Sequence, residues 1–89
     1  MPRCYPVSEV IGHKLRSLRK EQGLSLINVA QEIGISEQQQ LRYERGINRI
    51  SIDRLKQYSD FFEVNITLFF HFSENDKEKI KKHIVDNKF

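Results

Sequence analysis

VAQEIGISEQQQLRYERG, residues 29–46, decides how the rest of the chain is read. Val29, Ala30 and Ile33 fall at helical spacing and stop at Gly34, whose tolerance of positive φ suits a sharp turn. Ile35 plugs that turn, Ser36 offers the hydroxyl of an N-cap, and SEQQQLRYERG continues as a second helix closed by Gly46. So few residues separate the two helices that they must cross steeply, and Ala30 is small where they approach. The later helix presents Gln38, Arg42 and Arg45 on a polar face suited to lie against an anion.

On the N-terminal side, Leu24 and Ser25 begin the helix that ends at Gly34, with Ser25 as N-cap and Leu24 packing back. Before them, Ile11, Leu15 and Leu18 mark a first helix that starts at the N-cap Ser8 and closes at Gly23. Lys14, Arg16 and Lys20 fall off its apolar line. Arg19 adjoins that line, a place for a charge only if it has a partner. Residues 1–7 hold two prolines and read as an extended arm. Its Arg3 is within reach of a phosphate and its Tyr5 is able to pack on the domain; the alternative is a frayed arm.

Beyond Gly46, the loop INRIS carries Asn48 and Arg49, and a fourth helix runs from about Ser51 to Phe62. Its inner side is read as Ile52, Leu55, Tyr58, Ser59 and Phe62. After the connection Glu63-Val64-Asn65, ITLFFHF forms a short apolar helix. Ser73 then caps a charged helix with Asp76 three residues on, and Ile80, Ile84 and Val85 make its narrow apolar strip. This is an all-α chain of five helices with a sixth at the C-terminus, divided as 1–7, 8–72 and 73–89.

Eighty-nine residues support one core. At 38% hydrophobic content and with no long apolar run, no membrane span is expected. A single cysteine, Cys4, has no disulfide or metal-binding Cys partner and suits the reducing cytoplasm; no apolar secretory leader is read at the N-terminus. Net charge is only +3, but it is unevenly spread. Met1 to Gln22 carries Arg3, Lys14, Arg16, Arg19 and Lys20 against Glu9 and Glu21. Ser36 to Lys56 carries Arg42, Arg45, Arg49, Arg54 and Lys56 against Glu37, Glu44 and Asp53. The stretches Gly23–Ile35 and Gln57–Phe72 contain no Lys or Arg. Two basic zones flanking acidic or neutral ones match either a polyanion footprint or ordinary solvated helix surface.

Leu15, Leu18-Arg19, Gly23-Leu24-Ser25, Val29-Ala30, Ile33-Gly34-Ile35-Ser36, Gln38, Tyr43-Glu44-Arg45-Gly46 and Asn48-Arg49 together resemble the Cro/C1-type helix-turn-helix family, also called the Xre family of transcriptional regulators. The likeness covers about Ile11 to Phe70. Its tail, QQLRYERGINRI, is also similar to fimbrial-operon regulators of enteric bacteria. The resemblance implies a five-helix lambda-repressor-like domain over residues 8–72, with the helix from Ser36 to Arg45 in the DNA major groove. It implies base contacts from Glu37, Gln38 and Arg42, and phosphate contacts from Ser36, Arg45, Asn48 and Arg49. It further implies a partly buried structural ion pair between Arg19 and Glu44. The chemistry agrees: Gln pairs with adenine N6/N7, Arg with guanine O6/N7, and Glu accepts from cytosine N4.

Three departures from the family pattern stand out. Leu26 stands where Gln is frequent, Glu37 also replaces a common Gln, and Gln40 occupies a normally apolar inner position beside Leu41 at a usually polar one. Three arrangements reconcile the inverted pair: a rotated helix that buries Leu41, a buried and hydrogen-bonded Gln40, or a Leu41 left exposed to meet a thymine methyl.

His13, His71 and His83 are scattered without ligand spacing, Cys4 has no evident His partner, and no glycine-rich phosphate loop exists, so neither catalysis nor a metal or cofactor is expected. Leu68, Phe69, Phe70 and Phe72 exceed what a short helix buries on one side. Part must close the core; Leu68, Phe70 and Phe72, with Ile80 and Ile84, are candidates for a homodimer interface, against the competing reading that the last helix folds back on its own domain. The function expected is a sequence-specific regulator that binds double-stranded DNA as a dimer on a palindromic operator. The alternatives are an antitoxin-type autorepressor that binds a toxin, and a helical protein-interaction module using Leu26, Ile27 and Leu41 that has lost DNA binding.

Overall fold

The computed structural model describes residues 5–86, with side chains as far as Lys82. Five α-helices and one 3-10 turn follow in order: α1 (Pro6–Glu21), α2 (Leu26–Ile33), α3 (Glu37–Arg45), α4 (Ile52–Phe62), the 3-10 turn (Ile66–Phe70) and α5 (Glu74–Asp86). No strand occurs among the described residues. The all-α architecture expected from the periodicity is what the chain adopts.

Serines open four of the helices. Ser25 and Asn28 form a reciprocal capping box at α2, and the Ser36 and Ser51 hydroxyls accept from the Gln39 and Arg54 amides at α3 and α4. At α5, Ser73 accepts from the Asp76 amide while its own N–H donates to the Asp76 carboxylate. Such caps satisfy amides that the first helical turn leaves without partners. Gly34 ends α2 at φ 89°, and the freed α2 carbonyl of Ile33 is taken up by Gln57 and Arg54 of α4.

Ile11, Leu15, Val29, Ile33, Leu55, Tyr58, Phe62 and Phe69 form the core. Within it the Tyr58 and Phe62 rings stack and Tyr43 meets Tyr58 edge-on. Phe69 is the aromatic of the 3-10 turn that closes the core from below; Phe70 faces outward.

Two details differ from the sequence reading. α1 begins at Pro6, so Ser8 lies inside the helix and Pro6 and Val7 do not belong to an extended arm. Proline at the first helical position loses nothing, because its missing N–H would have been unpaired there. Ile52 is 63% exposed rather than on the inner side of α4; as the helix's first residue it projects past the core. Arg3, Cys4 and the side chains of His83, Ile84 and Val85 lie outside the described residues.

The candidate nucleic-acid interface

α3 is set by a close crossing with α1. At Gly12 of α1 an added Cβ would stand 2.7 Å from the Glu44 carbonyl oxygen, and at Gly46, just beyond α3, one would stand 2.8 Å from the Glu9 amide nitrogen. Backbones approach this closely only where a side chain is missing. Gly46 also holds φ 72°. Sequence reasoning missed Gly12; the available signal was its place three residues before Leu15 and seven before Arg19, on the inward line of α1.

At the same crossing, Arg19 meets Glu44 in a two-point pair, Nε to Oε2 at 2.8 Å and Nη2 to Oε1 at 3.0 Å. A third guanidinium nitrogen donates to the Leu24 carbonyl. The Arg19–Glu44 pair implied by the resemblance is present and buried, with side-chain exposures of 11% and 2%.

Gln40 resolves the inverted pair. It is wholly buried, donates from Nε2 to Glu44 Oε2 at 2.9 Å and accepts at Oε1 from the Tyr58 hydroxyl at 2.5 Å. Burial first, with Tyr43 and Glu44 adding to it, pushes the Tyr58 pKa above its ordinary 10.0, so the phenol keeps its proton and donates. Position 40 must therefore accept from a phenol and donate to a carboxylate, which an amide does and a carboxylate does not. The polar chain Arg19–Glu44–Gln40–Tyr58 thus links α1, α3 and α4, and among the described residues no buried side-chain nitrogen or oxygen lacks a partner.

With Gln40 and Glu44 inward, the opposite face of α3 is fixed. Glu37, Gln38, Arg42 and Arg45 are all exposed, and Ser36 stands exposed at its N-terminus. Because Ser36 accepts from Gln39, its hydroxyl hydrogen is still available to an external acceptor. Leu41 is half-buried; with Leu26, His13, Arg16 and Arg45 it lines an open cleft of about 490 Å³ between α1, α2 and α3.

Past Gly46, Asn48 is half-buried and Arg49 exposed. The Arg49 guanidinium lies 4.5 Å from the centre of the Tyr5 ring, and the Tyr5 amide donates to the Gly46 carbonyl. Tyr5 therefore packs on the loop that carries Arg49, orienting a cation through its aromatic face.

The candidate dimer residues stand apart from this face. Leu68, Phe72 and Ile80 are half-buried and Phe70 is 43% exposed, beside Phe72. α5 itself returns against α1, where Lys79 pairs with Glu9 at 3.3 Å and Lys14 donates to the His71 carbonyl.

No helix among the described residues is long and apolar enough to cross a membrane. Among the same residues no group of three or more His, Cys, Asp or Glu side chains gathers as a metal site.

Residues 15–69 match the helix-turn-helix family HTH_3. An HTH-type transcriptional regulator of Sinorhizobium fredii, y4aM, described as uncharacterized, is 36% identical over 70 residues, covering 79% of this chain and 49% of its own length. Another so described, RP497 of Rickettsia prowazekii, is 41% identical over 64 residues, covering 72% and 49%. The chain spans about half the length of these curated relatives. Among solved structures, the clp gene regulator ClgR of Corynebacterium glutamicum superposes with a TM-score of 0.69 over 90% of this chain and 82% of that one, at 19% identity. That likeness speaks to the fold alone.

Proposed function

The chain belongs to the Cro/C1-type (Xre) helix-turn-helix family of transcriptional regulators, and from that premise we propose that it binds duplex DNA sequence-specifically through α3. The observation that carries this is the division of α3 into two faces. Gln40 and Glu44 are consumed by the scaffold, whereas Glu37, Gln38 and Arg42 stand exposed on the other side. The major groove admits one helix, and those three side chains supply the donors and acceptors that base edges recognise. Ser36, Arg45, Asn48 and Arg49 border the reading face and take backbone phosphates, which fix register and make affinity fall with salt.

Two copies related by a two-fold axis would carry their α3 helices into successive grooves about 34 Å apart and call for a palindromic operator. Phe70, Phe72, Leu68 and Ile80 are the apolar residues that support such an interface, with Ile84 continuing the strip in the sequence. On this reading the chain acts in the cytoplasm and without a cofactor, as a repressor or an activator of transcription.

A second reading has one observation in its favour. Ile27 is 48% exposed on α2, next in sequence to Leu26, an apolar surface that a protein partner such as a toxin would cover. Selection from a randomised duplex library, followed by fluorescence anisotropy over a salt series, separates the readings. DNA recognition gives an enriched motif and log K falling steeply with log salt. An absence of both would leave only the protein-binding function.

A further inference from the structure

Leu41 is the residue that the DNA-binding reading leaves without a task. It lies between residues that have one: Gln38, Leu41, Arg42 and Arg45 stand at i, i+3, i+4 and i+7, along one line of α3. The inward hydrogen bonds of Gln40 hold this phase, because turning the helix to bury Leu41 would pull Gln40 off both Glu44 and Tyr58. Leu41 does not join the core. Its apolar neighbour across the cleft is Leu26, at the first turn of α2, and the exposed cations Arg16 and Arg45 line the same cleft with His13, the Arg19–Glu44 pair and the Glu9 carboxylate that Lys79 meets.

An apolar floor between cations on a groove-facing helix fits one feature of duplex DNA. The C5-methyl of thymine is the apolar group on the major-groove edge of a standard base, and phosphates flank the groove on either side. A leucine has nothing to offer the nitrogen and oxygen positions of a base edge.

We propose that Leu41, backed by Leu26, is a specificity-determining residue that reads a 5-methyl group on a pyrimidine, ordinarily thymine, in each half-site. This rests on the DNA-binding function proposed above and adds a methyl contact to its hydrogen-bonding readers. Arg16 and Arg45 draw the phosphates of that nucleotide step toward the cleft, and the methyl displaces water from the two leucines. Cytosine methylated at C5 presents the same group and is accepted by the same contact.

The test uses the full chain and the tightest duplex from the library selection. Each thymine is replaced singly by deoxyuridine, which removes one methyl and keeps base pairing, and binding is read by anisotropy. At one thymine per half-site the replacement weakens binding about fourfold, the effect of withholding one methyl-sized group from apolar burial. In Leu41→Ala the thymine-to-deoxyuridine ratio at that position falls to about one, whereas Arg49→Ala weakens both duplexes alike and preserves the ratio. The proposal is overturned if wild-type binding is selective and salt-dependent yet indifferent to every methyl, as it would be if a protein partner covers the patch. It is equally overturned if the ratio survives in Leu41→Ala. Absence of any selective DNA binding would instead remove the underlying function, and is visible in the unmodified duplex alone. The wild-type scan decides the matter even where a variant folds poorly.

Discussion

α3 and α5 are both tied to α1 by an ion pair, and the two ties behave differently. Glu44 meets Arg19 through two short bonds at a buried crossing, whereas Lys79 meets Glu9 through a single 3.3 Å contact with the lysine side chain 61% exposed. The first pair is desolvated and has no water to replace a lost partner. The second exchanges with solvent and salt at little cost. The backbones repeat the contrast, since α3 approaches α1 through glycines at van der Waals limits. α3 is fixed to its scaffold; α5 rests on the surface.

The most severe way to break this contrast is Glu44→Ala, which leaves the Arg19 charge buried and unpaired. We expect a loss of about 3–5 kcal/mol in urea unfolding, with DNA affinity falling as α3 loses its anchor. Next comes Gln40→Leu, which strands the Tyr58 hydroxyl and should cost about 1–3 kcal/mol. Adding Tyr58→Phe removes the orphaned donor and should restore much of that loss, so the double variant is more stable than the single one. Lys79→Ala should cost less than about 1 kcal/mol, and less again in high salt, by the same unfolding assay. A loss comparable to that of Glu44→Ala would erase the distinction.

Acid provides the gentlest probe. The Ser73 amide, followed by the Ser73 hydroxyl and the charges of Lys14 and Lys79, holds the Asp76 carboxyl below its ordinary 3.8, while residual burial works the other way. A carboxyl whose pKa is lowered by folding stabilises the fold at pH values above its unfolded pKa. That contribution fades as pH drops below 3.8 through the lower folded value. Amide exchange at the start of α5 should accelerate there before exchange at the Arg19–Glu44 crossing does. Simultaneous release of both would show that α5 is as firmly held as α3.

Much of the fold was legible because its signals are local. Ser25, Ser36, Ser51 and Ser73 each cap the helix that follows, and Gly34 and Gly46 each end one in the left-handed region. The start of α1 was misread because Ser8 offered a hydroxyl two residues after Pro6, and two start signals competed. The connection after α4 was placed at Glu63-Val64-Asn65, but its left-handed backbone left no trace in the residue types: Glu63 takes φ 56° without being glycine. In the candidate site, Arg19 and Glu44 were legible through their spacing in the family pattern. The facing of Gln40 was not, because it depends on Tyr58, eighteen residues away and on another helix. Tyr5 against Arg49 depends in the same way on the residue before α1 meeting the loop between α3 and α4.

The saturation of the buried polar chain has a further consequence. Every hydrogen bond of that chain sits on the scaffold side, so changes at Glu37, Gln38 or Arg42 share no hydrogen-bond partner with Arg19, Glu44, Gln40 or Tyr58. Substitutions without shared partners combine nearly additively. On the DNA-reading role proposed for α3, operator preference and thermodynamic stability become separate coordinates of this domain: lineages are free to rewrite the first by drift at three surface positions while the second stays where it is.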